Sequence, residues 1–345
     1  MARKAIGLNC TLSLTVRSSS LNSLRHEEAI TDRLQKLAVI PASSALVAGI
    51  GDDCAVYRPR NTAEDLLFTT DLFVEGTHFL PETHTAAHVA RKALARSLSD
   101  IAAMGGVPRF CLVSLCLPKW TTQSWVNRFF CTLMAAAAKA GAVLAGGDLS
   151  HGEILVCDVT VCGAVPRGTA LRRSGARPGH EIYVSGKLGG SALGLQAGKG
   201  RAWQRHMNPQ PRLALGVFLR EKLRATAAMD VSDGLSLDLR RLCRASGVAA
   251  EISAPPRFPG ASAEQALHGG EEYELLFTVR AGTPVPAEFT QPTGEIIPLT
   301  RIGRIVKPVK YEPGDVYHDS QLLPPLGYDH FAHTNSPGAK DLTPP

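Results

Sequence analysis

The sequence contains no run of 18 or more consecutive apolar residues, so no segment is expected to span a membrane. Its eight cysteines include no C-x-x-C pair, which argues against a structural zinc site. Most of them sit in apolar runs such as "FCLVSLCLP" and "ILVCDVTVC", where a thiol packs as a small hydrophobe. That usage predicts free cysteines in a reducing compartment and hence a cytoplasmic protein. The common phosphate cradles are also missing. There is no G-x-x-x-x-G-K-[ST] loop, "GLQAGKG" (194–200) has the wrong spacing, and no H-R-D or D-F-G set occurs. The Lys and Arg are scattered, with no basic stripe interleaved with aromatics, and the formal net charge is +6. This argues against a nucleic-acid surface and is compatible with small anionic substrates.

What is present describes an ordinary globular chain, 44% apolar and 20% charged, whose 345 residues suggest two domains. Residues 1–25 are basic, Ser-rich and free of acids, a transit-peptide-like composition, and are read as a disordered or mis-assigned extension. The tail, 332–345, reads as disordered. Between them, helical spacing predicts helices over 26–37, 86–106 (Leu94, Leu98, Ile101) and 124–141 (Trp125, Phe129, Leu133). Apolar runs predict strands over 65–71, 109–118, 142–148 and 153–165. After a Pro/Gly/Arg-rich joint near 166–180 the pattern restarts: "IYVSG", a glycine-rich turn opening a helix, an acidic turn before a helix carrying Leu235, Leu239 and Leu242, and a strand over 271–279. Strands and helices alternate in both halves, which predicts two α/β units.

Five short segments share one grammar: "GIGDD" (49–53), "TTD" (69–71), "LSD" (98–100), "GGD" (146–148) and "MDVSDG" (229–234). Four place an acid after an apolar strand or a glycine-containing turn, where α/β proteins bind ligands. Taken singly each has a bland reading. Asp52-Asp53 and Asp233-Gly234 are turn signals, and His78 in "EGTHF" suits a surface or satisfied histidine. Asp100 lies roughly 120° off its helix's apolar stripe, a solvent-boundary position. Together they describe several short carboxylates converging from different strand ends, as several Mg²⁺ ions on a triphosphate require.

With "GIGDDCAV", "TTDLFVEGTHFLP", "KALARSLSDIAAMGGVPRFCLVSLCLP", "AGGDLSHG", "TALRRSGARPG", "IYVSGKLGGSALGL", "AMDVSDGLSLDL", "LHGGEEYELLFTV" and the terminal "GYDHF" in order over about 49–331, the sequence resembles the thiamine-monophosphate kinase family. That family belongs to the superfamily of aminoimidazole-ribonucleotide synthetase and selenophosphate synthetase. The resemblance implies transfer of the ATP γ-phosphoryl group to thiamine monophosphate by direct, Mg²⁺-assisted in-line displacement, the last step of thiamine diphosphate synthesis, with no covalent nucleophile. It implies a two-domain α/β subunit: a 26–166 domain for ATP, Mg²⁺ and a barrel-like homodimer contact, and a 167–331 α/β sandwich domain. Carried over by motif, Asp53, Thr69, Thr70, Asp71, Asp100, Asp148, Asp230 and Asp233 hold Mg²⁺; Gly147, Arg173 and Ser232 contact ATP; His78 and Glu271 meet the thiamine phosphate. Mn²⁺ suits the same oxygen-rich sites.

Two departures stand out. Pro324, Pro325 and Leu326 occupy the approach to "GYDHF", where the family often has an aromatic, leaving Tyr328 or Phe331 as the substitute. Glu272 stands where the family commonly has Asp. The alternatives are another ATP-dependent synthetase of the same superfamily and a non-catalytic nucleotide-binding dimer; the intact acidic segments speak against the latter.

Overall fold

The computed structural model describes residues 27–41, 43–308 and 311–331, so both expected disordered ends lie outside the described residues. Helix α1 (Glu27–Leu37) leads into a six-stranded sheet of β1 (Leu46–Ala48), β2 (Ala55–Tyr57), β3 (Glu64–Val74), β4 (Val107–Leu117), β5 (Val143–His151) and β6 (Val156–Pro166), with strand order β1-β2-β3-β6-β4-β5. Helix α2 (Ala86–Ala103) follows β3, and α3 (Gln123–Lys139) links β4 to β5, the one parallel pair of this sheet.

Period-two alternation decides which way β3 presents its side chains. Asp65, Leu67, Thr69 and Phe73 are buried toward α2, whereas Thr70 and Leu72 face outward and are exposed. Helix α2 starts at a capping box. The Thr85 hydroxyl accepts from the His88 amide, and the His88 ring accepts from the Thr85 amide. Leu94, Leu98 and Ile101 enter the core, as their spacing predicts, but Lys92, Ser97 and Ser99 are buried too. The polar side of α2 is covered by the second half of the chain. The expected solvent boundary at Asp100 is therefore a contact between the two halves.

The second sheet contains β7 (Glu181–Ser185), β8 (Ala227–Asp230), β9 (Ala249–Ile252), β10 (Leu275–Val279), β11 (Glu288–Thr290), β12 (Ile296–Val306), β13 (Val316–His318) and β14 (Gln321–Leu322). Its order is β14-β13-β9-β12-β7-β10-β8, with β11 on β12. Helices α4 (Gly190–Ala197), α5 (Gly200–Met207), α6 (Leu213–Phe218), α7 (Leu235–Ser246) and α8 (Ala263–His268) accompany it. Apart from β9 with β13, its pairs are antiparallel, and both sheets are open rather than closed into a barrel.

Each half has its own apolar core, and a third cluster joins Ala102 and Ala103 of α2 to Leu215, Leu219 and Phe277. The strand expected over 271–279 begins only at Leu275, because Glu271 and Tyr273 adopt left-handed φ of 59° and 52°. Among the described residues no helix is long and apolar enough to cross a membrane.

Candidate active site

Asp53, Asp100 and Asp230 meet where the two halves touch, with one ligand atom from each lying within 4.8 Å of the others. They come from the turn before β2, the last turn of α2 and the end of β8. Thr69 donates to the Asp100 carboxylate, and Ser99 donates to Asp230 at 2.6 Å. Asp53 accepts from Arg173 through one oxygen, at 2.5 and 3.2 Å, while its other oxygen is buried without a partner. Burial and the neighbouring carboxylates push the Asp100 and Asp230 acids well above the ordinary carboxylate range. Burial likewise raises Asp71, against the pull of Arg96. Asp52 holds the other side of the turn, accepting the Arg173 backbone amide at 2.8 Å.

Beside the triad runs a ladder of charge along α2, since Lys92, Arg96 and Asp100 recur every four residues on one helical face. Arg96 lies between Asp71, at 3.9 Å, and Glu271, at 3.8 Å. Lys92, fully buried, contacts Glu271 at 3.1 Å and His206 Nε2 at 3.0 Å. An ammonium only donates, so His206 Nε2 accepts and its proton sits on Nδ1, which lies 2.9 Å from the Ser191 hydroxyl. Burial alone would raise the Glu271 acid, but Lys92, His206 and Arg96 hold it at about 2.

His78 Nδ1 accepts from the Val74 amide at 3.0 Å, which leaves the proton of the neutral ring on Nε2, a buried donor with no partner. Burial, Arg96 and His330 keep that ring neutral, with a pKa of about 3. The His330 ring lies 5.1 Å from His78 and 4.8 Å, edge-on, from Tyr328. Of the two aromatics expected near the terminal motif, Tyr328 is the one beside this group; burial, Asp233 and Glu271 raise its phenol.

The two acidic loops of the second half are locked together. Glu271 and Tyr273 donate their amides to the Ser232 and Val231 carbonyls at 2.7 and 2.9 Å. Asp238, wholly buried in the first turn of α7, accepts three amides in a row from Ser232, Asp233 and Gly234 at 3.0–3.1 Å. Gly234 has φ of 117°, and a Cβ there would sit 2.6 Å from the His268 carbonyl. Asp233 itself is tied to Arg241. The departure at Glu272 has a local reason: its carboxylate spans the Ser191 amide at 2.8 Å and Arg205 at 3.0 Å.

Not every candidate joins the triad. Thr69 and Asp71 face α2, but Thr70 points through the other side of the sheet and donates to Asp158 at 2.6 Å. Asp148 is exposed on β5, which continues past the acid to His151. It is in register with Ser114, which is in register with Asp158, so these side chains share the outer face. Gly147 packs against β4, where a Cβ would fall 1.8 Å from the Val113 carbonyl. Adjacent residues of one strand cannot all aim at one point, which is why "TTD" divides.

Sequence reasoning missed Asp158, Asp238, Arg96, Lys92 and His206. Asp238 had a signal, an acid in the first turn after Asp-Gly. The others each meet a partner more than 80 residues away: Asp158 meets Thr70, Lys92 meets His206, and Arg96 meets Glu271.

Known proteins align with this architecture. Residues 51–165 match the N-terminal domain of AIR synthase related proteins, and residues 177–313 match their C-terminal domain. The thiamine-monophosphate kinase of Salmonella typhimurium is 37% identical over 312 residues, covering 82% of this chain and 92% of that protein. The thiamine-monophosphate kinase of Escherichia coli K12 is 36% identical over 310 residues, with the same coverage of 82% and 92%. The solved structure "AaThiL complexed with AMPPCP and TMP" superposes with a TM-score of 0.76 at 31% identity, covering 92% of this chain and all of that one.

Proposed function

Because the chain belongs to the thiamine-monophosphate kinase family, we propose that it transfers the γ-phosphoryl group of ATP to thiamine monophosphate, giving thiamine diphosphate and ADP. One observation carries the reading. Among the described residues nine buried polar side-chain atoms lack a partner, and five of them belong to Asp53, Asp71, His78, Arg96 and Glu271. Buried polar groups are normally satisfied, so such a concentration marks a site whose partners arrive with its ligands.

The donor set fits a hard divalent cation: short carboxylates from separate elements, two of them with an orphaned oxygen, crowded enough to raise each other's acids. Asp53, Asp100 and Asp230 would hold Mg²⁺, with Thr69 and Asp71 beside them and Asp233 at the rim. When bound, Mg²⁺ neutralises phosphate charge and polarises the group in transfer.

The chain's own residues position the two anionic substrates. Arg173, fixed through Asp52 and Asp53, faces ATP together with Ser232. His78 offers its Nε2 proton to the acceptor, and Glu271 marks the acceptor side. An oxygen of the acceptor phosphate attacks the γ-phosphorus in line while the bond to the β-bridging oxygen breaks and ADP leaves. The acceptor phosphate is already ionised near pH 7, so no strong base is needed. Direct transfer needs no side-chain nucleophile, and burial, Asp100 and Asp53 push the thiol of Cys54, next to Asp53, far up and keep it protonated.

Within this reading, residues 26–166 form the ATP, Mg²⁺ and pairing unit and residues 167–331 the second unit. A homodimer would cover the outer face of the first sheet, where Leu72 and Leu112 are exposed beside Thr70 and Asp148. The seven described cysteines are free and five are buried, which suits a reducing cytoplasm.

The test is to incubate purified protein with ATP and Mg²⁺ and either thiamine monophosphate, thiamine or no acceptor, following ADP and separating thiamine diphosphate by chromatography. Thiamine diphosphate formed with thiamine monophosphate alone is the expected result. Nucleotide binding with no such product would overturn the assignment in favour of a sister synthetase.

A further inference from the structure

The arginines around the site fall into two kinds. Arg173, Arg205, Arg212 and Arg241 are each anchored to a carboxylate within 3.2 Å. Arg96 is not. Its nearest carboxylates, Asp71 and Glu271, lie at 3.9 and 3.8 Å, beyond hydrogen-bond reach. Among the described residues its one hydrogen bond runs to the Tyr273 hydroxyl at 3.4 Å, and its buried Nε has no partner. A guanidinium has five N–H donors in a rigid fork, and leaving them unmade away from water is costly.

The surroundings hold Arg96 in this unspent state. Lys92 and His206 hold Glu271 through Oε2, and its Oε1, which faces Arg96 at 3.8 Å, stays short of a hydrogen bond and is itself without a partner among the described residues. Tyr273 and Glu271 sit in left-handed backbone conformations pinned to the 231–232 backbone, which fixes the far wall. The side chain is 18% exposed, so a ligand can reach it, and it lies between Asp71 and Glu271. The group that matches it is planar-fork recognition of phosphate oxygens. Arg173 stands on the Asp53 side, leaving Arg96 on the Glu271 side.

We propose that Arg96 binds the phosphate of the acceptor, and so makes a phosphorylated acceptor the preferred one and aligns its attacking oxygen; this rests on the kinase reading above. The residue then touches the reacting group and is a catalytic residue, contributed by the same helix that supplies Asp100.

The experiment compares wild type with Arg96→Leu and Arg96→Lys. Steady-state kinetics give KM for thiamine monophosphate and for ATP, and calorimetry in Mg²⁺ without ATP gives binding of thiamine monophosphate and of thiamine. Arg96→Leu is expected to raise KM for thiamine monophosphate about 10- to 100-fold, the scale of a charge-assisted phosphate contact, with KM for ATP within about twofold. Its binding preference for thiamine monophosphate over thiamine should shrink by the same factor. Arg96→Lys, which keeps the charge and guards against a folding defect, should recover part of the affinity but less of kcat, because an ammonium cannot reproduce the fork. An unchanged KM for thiamine monophosphate, or equal losses for thiamine and its monophosphate, would overturn the proposal. If wild type made no thiamine diphosphate, the kinase reading would fail by itself, and the calorimetric comparison would still decide whether Arg96 reads a phosphate ester.

Discussion

Glu274 and Asp230 are neighbours with opposite treatment. Leu275, next to Glu274, is in register with Asp230 across β8 and β10, and both acids are buried. Glu274 is saturated: Arg212 reaches it at 2.6 and 3.0 Å, Arg205 at 3.0 Å and Ser185 at 2.6 Å. Burial alone would raise its acid, yet the two arginines hold it at about 2. Asp230 receives the Ser99 hydroxyl and faces Asp53 and Asp100, and its acid is driven far up. The first arrangement stabilises the fold. The second costs stability, and on the proposed reading cations and phosphates complete it.

The sharpest way to break this comparison is substitution within the aspartate group. Asp71→Asn should lower turnover by about 10³-fold, the scale of one lost electrostatic contact to a transferring group, with the melting temperature kept or raised. Near-normal turnover, measured as thiamine diphosphate formed per enzyme, would remove Asp71 from the metal site. On the other side, Arg212→Leu leaves a buried carboxylate without its main partner and should cost about 3 kcal/mol in urea unfolding. If it cost nothing, Glu274 would not be the structural acid described here.

A third prediction uses the histidines between the two regions. His78 and His84 are held at about 3 and His206 at about 4, each first by burial. Their folded values lie below the unfolded one, so the stability they contribute is complete above about pH 6.5 and is lost as pH falls toward 3–4. Each adds a slope of about 1.4 kcal/mol per pH unit within that window. The raised acids of Asp100 and Asp230 titrate in the opposite sense over this window, so the slope is read as the difference in unfolding free energy between wild type and His84→Asn from pH 7 to 4. A difference that does not change with pH would contradict the burial of that ring. The smallest effect is Ser99→Ala, which removes one hydrogen bond to Asp230 and should cost about 1 kcal/mol in the same assay.

How far the sequence carried the account follows from the same physics. Helices with a clean apolar stripe, such as α3, and strands with long β-branched runs, such as β6, are local patterns and were legible. Asp53 and Asp230 were legible as acids after a glycine turn and at a strand end; Asp100, inside a helix, was legible only through its motif. The sorting of Thr69 and Asp71 from Thr70 depends on which face of β3 meets α2, which no run of residues declares. The left-handed turn at Glu271 and Tyr273 looked like strand, because "EEYELLFTV" is β-rich in composition while the Glu271 and Tyr273 amides are committed to the Ser232 and Val231 carbonyls. Nothing in the sequence marks Arg96 or Lys92. Their meaning comes from the second half of the chain closing over them, a contact of 179 residues' separation at Lys92 and Glu271.

The central claim is that the aspartate triad is destabilising by itself and is completed by metal and nucleotide. The most direct measurement is the melting temperature of wild type and Asp230→Asn, each with and without Mg²⁺ and a non-hydrolysable ATP analogue. The account predicts that the bare variant melts at or above wild type and that ligands raise the wild-type value alone. A bare variant that melts well below wild type, or one that gains as much from the ligands, would contradict it.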